Sequence, residues 1–408
     1  MATVGFNTGD TGFMLIASSL VMLMTPGLAF FYGGLVGRKN VLAIMMQSFL
    51  SLCYTTVIWY LCGYSLCFSG GEGGVIGDFG KACMMGVTSL TPCAANPGIP
   101  EFVFASYQMM FAIITPALIT GAFTNRVTFK SYLLFLTAWL FFVYFPFVHM
   151  IWGNGFLAKQ GVLDFAGGIV VHNIAGMAAL ASVLFVGSRT EKDPLPHSIP
   201  LVALGTGLLW FGWYGFNAGS ELRVDNITAQ AFLNTDVAAS FAGMSWLLVA
   251  WFFEGKPKFL GLLTGSVAGL ATITPAAGYV SLTSAVIIGT VSGIVCYFAV
   301  YLKNKLTLDD ALDVWGVHGV GGMIGVIMLG MFAEKAVNPA GANGLFFGDA
   351  GFFKIELLTI LGSSIYAFVF TYLMLTVINL ITPVKIDSAT EKTGLDEVLH
   401  GEQAYQSF

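Results

Sequence analysis

Two stretches decide how this chain is read: LDFAGGIVVHNIAG at residues 163–176 and LDVWGVHGVGG at residues 312–322. Each opens on Leu-Asp, turns apolar and glycine-rich, and carries one histidine, His172 or His318. An imidazole in hydrocarbon is costly unless it is paired or lines a polar path. A single membrane histidine is as readily a hydrogen-bond partner between helices. Two in repeated settings point instead to one shared site between two related segments.

Composition places both stretches in a membrane. The 408 residues are 56% hydrophobic and 10% charged, with a mean hydropathy of +0.81. A globular protein carries about 25% charged residues. A net charge of -5 and 17 scattered Lys and Arg leave no basic face for phosphates, so nucleic-acid partners are set aside.

Spanning a hydrocarbon core about 30 Å thick takes roughly 20 apolar residues of helix. Eleven such stretches are predicted, at 10–36, 42–68, 99–122, 131–152, 165–187, 198–219, 233–253, 259–278, 281–302, 314–333 and 354–382. Their length, and the lack of sustained apolar–polar alternation, predict an all-α polytopic protein rather than a barrel. The opening MATVGFNTGD has no Lys or Arg, and the run after it is longer than a signal-peptide core and lacks a small-residue cleavage site; it reads as the first span.

Loop charge sets the expected topology. One side holds Arg38, Lys39, Arg126, Lys130, Arg189, Lys192, Lys256, Lys258, Lys303, Lys305, Lys385 and Lys392; the other holds Lys81, Lys159, Arg223, Lys335 and Lys354. The positive-inside rule puts the first set in the cytoplasm, with the N-terminus outside and the C-terminus inside. Because each half holds five helices, an odd number, the Leu-Asp repeat predicts an inverted five-helix repeat, helices 1–5 and 6–10, with the eleventh helix peripheral and the site near the midplane. A membrane domain over 1–382 is then followed by a polar tail at 383–408.

The 50 Gly lie largely inside helices and let backbones pack closely, while 36 Phe fill gaps and narrow any passage. Cys53, Cys62, Cys67 and Cys296 read as packing. Cys83 and Cys93 share the long outer loop, where a disulfide stays open as an alternative. No CxxC or other metal-ligand spacing is present, and no metal or cofactor is expected.

Seven motifs carry a resemblance: TPGLAFFYGGL at 25–35, GAFTNRV at 121–127, HMIWGNG at 149–155, DFAGGIVVHN at 164–173, GFNAGS at 215–220, DVWGVHGVGG at 313–322 and GLDEVLHGEQAY at 394–405. In that order they resemble the ammonium transporter family (Amt/Mep/Rh), in its bacterial Amt branch. The resemblance implies a multi-pass inner-membrane homotrimer with one narrow pore per subunit. It implies an outer vestibule of Tyr107, Phe111, Trp152 and Ser220, a gate of Phe111 with Phe216, an acidic Asp164 near the outer end, and the pair His172 and His318. Tyr107 stands where the bacterial proteins more often have Phe, which bears on affinity at the mouth. The tail residues Gly394, Asp396, His400, Gly401, Glu402 and Tyr405 match a regulatory pattern where a trimeric PII-type signal protein docks; a disordered end is the bland alternative.

Without the resemblance, Phe111 and Phe216 read as core, Trp152 as part of an interfacial aromatic belt, Ser220 as packing, and Asp164 and Asp313 as helix caps. His149 has no twin and reads as structural or vestibular. A rival class is a membrane haem protein with both histidines as axial ligands, but the Trp, Phe and Ser companions have no role there. A sensor that binds ammonium without moving it is the closer alternative. A retinal receptor lacks the intramembrane lysine it would need.

Overall fold

The computed structural model describes residues 5–190 and 195–405, so Lys192 and the first four residues of the opening lie outside the described residues. The described residues are all-helical, with ten helices long and apolar enough to cross a bilayer and one shorter apolar helix among them. In chain order they are α1 (Thr8–Leu35), α2 (Arg38–Phe68), α3 (Glu101–Phe123), α4 (Phe129–Lys159), α5 (Gly168–Val186), α6 (Ile199–Glu221), α7 (Asn226–Glu254), the shorter α8 (Phe259–Ile273), α9 (Leu282–Lys305), α10 (Trp315–Phe332) and α11 (Ala350–Ile381). Two short helices follow, α12 (Ser388–Thr393) and α13 (Leu395–His400). Among the described residues there is no strand, only the isolated bridges Pro92 with Pro100 and Val127 with Lys385.

Ten of the eleven expected spans are full-length helices among the described residues, and at the place of the remaining one stands a helix of 15 residues. At 1.5 Å per residue α8 reaches only about 22 Å, short of a bilayer core. Its expected end at residue 278 fails because the chain turns at Thr274–Pro275, where proline cannot continue the hydrogen-bond ladder. The freed Pro275 carbonyl accepts from Phe165 N at 3.1 Å. The truncation therefore carries the end of α8 to the start of α5.

Caps set the other helix ends. Asn7 accepts from Gly9 N and Asp10 N to start α1. Asp225 and Thr228 form a reciprocal capping box that starts α7 at Asn226, seven residues before the hydrophobic run at 233. The regular part of α4 ends at Trp152, where Gly153–Gly155 interrupt it. π turns break the regular ladder at Trp59–Gly63, Leu140–Tyr144, Gly168–Asn173 and Trp315–Gly319. The last two open α5 and α10 and contain His172 and His318. A π turn adds one residue to the helical repeat and re-aims the side chains around it.

Glycine brings α5 and α10 together. A Cβ on Gly176 would stand 2.1 Å from the Cα and N of Gly319, and one on Gly322 would stand 2.8 Å from Asn173 N and 2.9 Å from the Gly168 carbonyl. Gly168 thus faces Gly322 while Gly176 faces Gly319, so the two helices cross antiparallel at backbone contact.

After α11 the described residues, up to Tyr405, pack back onto the helical bundle. Thr128 N donates to Val384 O and Ile386 N to Arg126 O, pinning it to the α3–α4 loop. Asp396 accepts from Leu42 N and Ala43 N at 3.0 and 2.8 Å, so the tail supplies an N-terminal carboxylate for α2. Leu395 N donates to Asn40 Oδ1, and Tyr405 meets His197 Nε2 at 2.9 Å with Arg38 over its ring. Gly394, at φ 111°, lies where a Cβ would strike Lys39. Gly401 closes α13 in the left-handed conformation, Glu402 N returns to the Asp396 carbonyl, and His400 packs edge-on against Phe129.

Candidate functional site

Asp164 organises the approach to His172. Its carboxylate accepts from Gly167 N, Gly168 N, Ile169 N and Val170 N at 2.6–3.1 Å, taking up the free amides at the start of α5. Its carbonyl accepts from Trp152 Nε1 at 2.8 Å, so the same residue positions the indole. One residue earlier, Leu163 N donates to Glu356 Oε1 at 2.7 Å, and Glu356 is wholly buried on α11. Nothing in the sequence marked Glu356 beyond an acid inside an apolar helix.

For α10 the sequence reading assigned the cap to Asp313, and the structure corrects it. Asp310 accepts from Trp315 N at 2.8 Å. Asp313 sits at φ 58° with its carboxylate against Lys303 Nζ. Counting back from each histidine would have found the right partner: Asp164 precedes His172 by eight residues, and Asp310 precedes His318 by the same eight. The Leu-Asp match misled because it aligned residues at different distances from the histidines.

The predicted vestibule and gate residues come together. Tyr107 is buried, and its hydroxyl lies 2.9 Å from the Gly215 carbonyl, 2.8 Å from the Phe216 carbonyl and 3.2 Å from Ser220 Oγ. Ser220 donates to Phe216 O at 2.9 Å, which leaves the lone pairs of Oγ as acceptors. Phe111 meets Trp152 edge-on at 5.7 Å between centroids and Tyr107 at 5.0 Å. Phe111 and Phe216 lie 4.3 Å apart and are each 1% exposed, so the two rings pack against each other with little solvent access.

Behind Phe216 the aromatic column continues into the histidines. His172 stacks 6.0 Å from Phe216, 5.3 Å from Trp213 and 5.3 Å from His318. His172 Nδ1 and His318 Nδ1 are 3.3 Å apart. For two nitrogens at that distance one must carry a proton and the other a lone pair. The two Nε2 atoms are then complementary, one an acceptor and one a donor. His172 Nε2 is buried and has no hydrogen-bond partner among the described residues. Trp213, anchored by Nε1 to Thr274 Oγ1 at 2.9 Å, was missed from sequence because one more Trp in an apolar helix carries no signal.

Beyond the pair lies a cavity of about 170 Å³, lined by apolar side chains such as Phe31, Leu118 and Val267 and reaching Arg189 and Asp313. A space of that size has room for several waters. Arg189, on its lining, binds Asp309 through two nitrogens, and Arg126 lies 3.8 Å from the same carboxylate. Burial pulls the Arg126 guanidinium down to about 10. Burial also opposes charge on Asp309, but the Arg189 bonds outweigh it and hold the carboxyl at about 2. All six cysteines are unbonded, including Cys83 and Cys93, for which a disulfide had been left open.

A model described as the Ammonium Transporter Family matches residues 12–405. Over 400 residues the chain is 43% identical to an ammonium transporter of Bacillus subtilis (strain 168), covering 98% of each chain. It is 41% identical over 400 residues to ammonium transporter Amt1 of Archaeoglobus fulgidus, covering 97% of this chain and 99% of that one. The crystal structure of Candida albicans Mep2 superposes with a TM-score of 0.88 at 36% identity, over 94% of this chain and 88% of that one. A solved structure named as a sensor Amt protein gives a TM-score of 0.88 at 29% identity, over 97% and 98%. The matching family is one of transporters rather than enzymes.

Proposed function

Because the chain belongs to the ammonium transporter family, we propose that it conducts ammonium along one narrow path. The path starts at a mouth of Tyr107, Trp152 and Ser220, passes between Phe111 and Phe216, and runs beside His172 and His318, where the ion gives up a proton. The observation that carries this reading is the 3.3 Å contact between the two Nδ1 atoms directly behind the closed phenyl pair.

The chemistry follows from what the path offers. Amines titrate well above neutral pH, so the substrate arrives as a hydrated cation. At the mouth the indole face of Trp152 contributes about 0.5–2 kcal/mol of cation–π attraction, and Ser220 Oγ accepts a hydrogen bond. Potassium has similar charge but no protons, so directional acceptors and a deprotonation step discriminate against it. At the pair, an Nε2 lone pair accepts hydrogen from the substrate while the opposite Nε2–H donates, which stabilises a neutral amine. The phenyl pair keeps bulk water out, and the proton follows a separate route, so net movement carries charge. Asp164 acts by holding the start of α5 and the Trp152 indole.

We assign the assembly to a homotrimer in the inner membrane, with the Arg38–Arg126–Lys303 side and the tail in the cytoplasm. Counting α8 as an eleventh span gives the inverted repeat of five plus five helices with α11 outside it. Residues 1–382 then form the transport domain. The tail at 383–408, through Gly394, Asp396, His400, Gly401, Glu402 and Tyr405, is where a PII-type signal protein would regulate flux. The likeness to a sensor Amt protein favours one second reading, binding without net transport.

Transient currents across proteoliposomes, after separate pulses of ammonium and potassium at matched ionic strength, test these readings. Ammonium alone should produce a current, and the double variant His172→Ala with His318→Ala should lose discrimination against potassium. Selectivity that survives in the double variant would refute the role of the pair. Tight ammonium binding without current or internal pH change would favour the sensor.

A further inference from the structure

α11 contributes no side chain to the path described above, yet three of its residues grip the segment that carries His172. Glu356 accepts from Leu163 N at 2.7 Å, one residue before Asp164. Two turns later, Ser363 Oγ lies 2.9 Å from Asn173 Oδ1 and Ser364 Oγ lies 2.9 Å from Asn173 Nδ2. Asn173 directly follows His172 and ends the π turn. Leu163 and Asn173 therefore mark the two ends of one held segment, within which Asp164 caps the helix start and His172 meets His318. Glu356, Ile360, Ser363 and Ser364 are all buried along one stripe of α11, at the spacing of successive helical turns.

Proton count fixes the direction of each bond. Ser364 Oγ lies 2.6 Å from the Ile360 carbonyl, which only accepts, so its single hydroxyl proton goes there. Ser364 then accepts from the Asn173 amide nitrogen, which turns Asn173 Oδ1 toward Ser363. Ser363 has that oxygen at 2.9 Å, against 3.1 Å for the Ile360 carbonyl, and donates to it. On the other side, a Cβ on Gly322 would stand 2.8 Å from Asn173 N, so residue 173 is wedged between the backbone of α10 and the hydroxyls of α11. Glu356 Oε2 is buried with no hydrogen-bond partner among the described residues. An apolar side chain would fill that place without the desolvation cost, so the bond to Leu163 is what the carboxylate adds. After His318 the corresponding residue is Gly319, which has no side chain to hold.

We propose that α11 is a clamp on the His172 segment, with Glu356, Ser363 and Ser364 as positioning residues that set where Asp164 and His172 stand in the path. This rests on the reading of Trp152 and His172 as parts of that path. Glu356 acts at the outer end. There Leu163 N is bonded to Glu356, the Asp164 carbonyl holds the Trp152 indole, and Phe165 N is bonded to the Pro275 carbonyl. Three consecutive residues are thus fixed by α11, α4 and the turn after α8. The serines act at the inner end, holding Asn173 against α10 one turn before Gly176 meets Gly319. Loss of Glu356 disturbs the mouth, and loss of the serines disturbs the histidine pair.

The deciding measurement is backbone amide hydrogen exchange of the full-length protein in detergent, for Glu356→Met and for Ser363→Ala with Ser364→Ala. Exchange should quicken near Leu163 in the first variant and near Asn173 in the second. Parent-like exchange in both would overturn the clamp, whatever transport does. In the current assay, Glu356→Met should raise the half-saturating ammonium concentration roughly five- to tenfold, the scale of one lost hydrogen bond, with the maximal current little changed. The serine variant should do the reverse, lowering the maximal current or admitting potassium while half-saturation holds. Glu356→Gln keeps an acceptor oxygen and should return half-saturation to the parent value, which separates a lost bond from a poorly folded Met variant. Quicker exchange with parent-like currents in both variants would refute the positioning role and leave the transport reading standing. An unmutated protein that passes no current would sink the transport reading instead, and the exchange rates would still decide the clamp.

Discussion

Gly176→Ala should separate the two histidines without touching either. A Cβ at residue 176 would stand 2.1 Å from both the Cα and the N of Gly319 and 2.9 Å from the carbonyl carbon of His318. These are backbone atoms, so no side chain can rotate aside, and relief comes only by moving α5 and α10 apart. Restoring ordinary contact takes roughly 1 Å of movement, and overpacking of this kind costs about 1–3 kcal/mol. His318 is covalently next to Gly319, and His172 lies one turn before Gly176, so the displacement passes directly to the rings. From 3.3 Å, the Nδ1 atoms would part to roughly 4 Å, beyond hydrogen-bond range. The expected result is a lower melting temperature in detergent, with loss of the ammonium current or of its discrimination against potassium. Gly207→Ala on α6 is the control, because nothing lies within 4 Å of a Cβ there and alanine favours a helix. If Gly176→Ala melts and conducts like that control, backbone contact is not what sets the histidine pair.

Asp164→Asn keeps the shape of the cap but turns one acceptor oxygen into a donor, so about two of the four amides of α5 lose their partner. At about 1.5–3 kcal/mol per charged hydrogen bond, the variant should melt clearly below the parent, and an unchanged melting curve would show that the cap contributes little. Phe216→Leu should leave folding intact while altering transport or leakage through the 4.3 Å phenyl contact; unchanged flux on both counts would make Phe216 simple packing. Asp309 is held at about 2 in the folded protein, below the usual value of about 3.9. Its folded value is depressed, so its stabilising effect is present above the ordinary carboxylate range and is lost as pH falls through about 2. Asp309→Asn should therefore be less stable than the parent at neutral pH, with a gap that narrows through the acid range; a gap constant down to the lowest pH would exclude this linkage.

Much of the candidate site was legible in the sequence because it rested on local rules. His172 and His318 stood out as polar groups in hydrocarbon, and Asp164 as a carboxylate at a helix start, where it does cap α5. Phe111 and Phe216 were visible only through motif resemblance, since 36 phenylalanines make any one of them anonymous. Trp213 had no signal at all, and Asp310 had one that the Leu-Asp match concealed. His149 showed only its residue type, because the two carbonyls that bracket it come from residues 67 and 71, which are 82 and 78 positions away in the sequence.

Hydropathy by itself determined the class of protein and the placement of its helices, because the cost of moving a residue into hydrocarbon is close to a sum over neighbours in the chain. Even there, α8 ended early, where a single proline outranked the apolar run around it. Only the tertiary structure decided that the histidines touch. Their contact spans 146 residues of sequence and depends on two π turns that re-aim the rings and two glycines that let the backbones meet. Those are angles and distances between distant segments, and no local sum of residue preferences contains them.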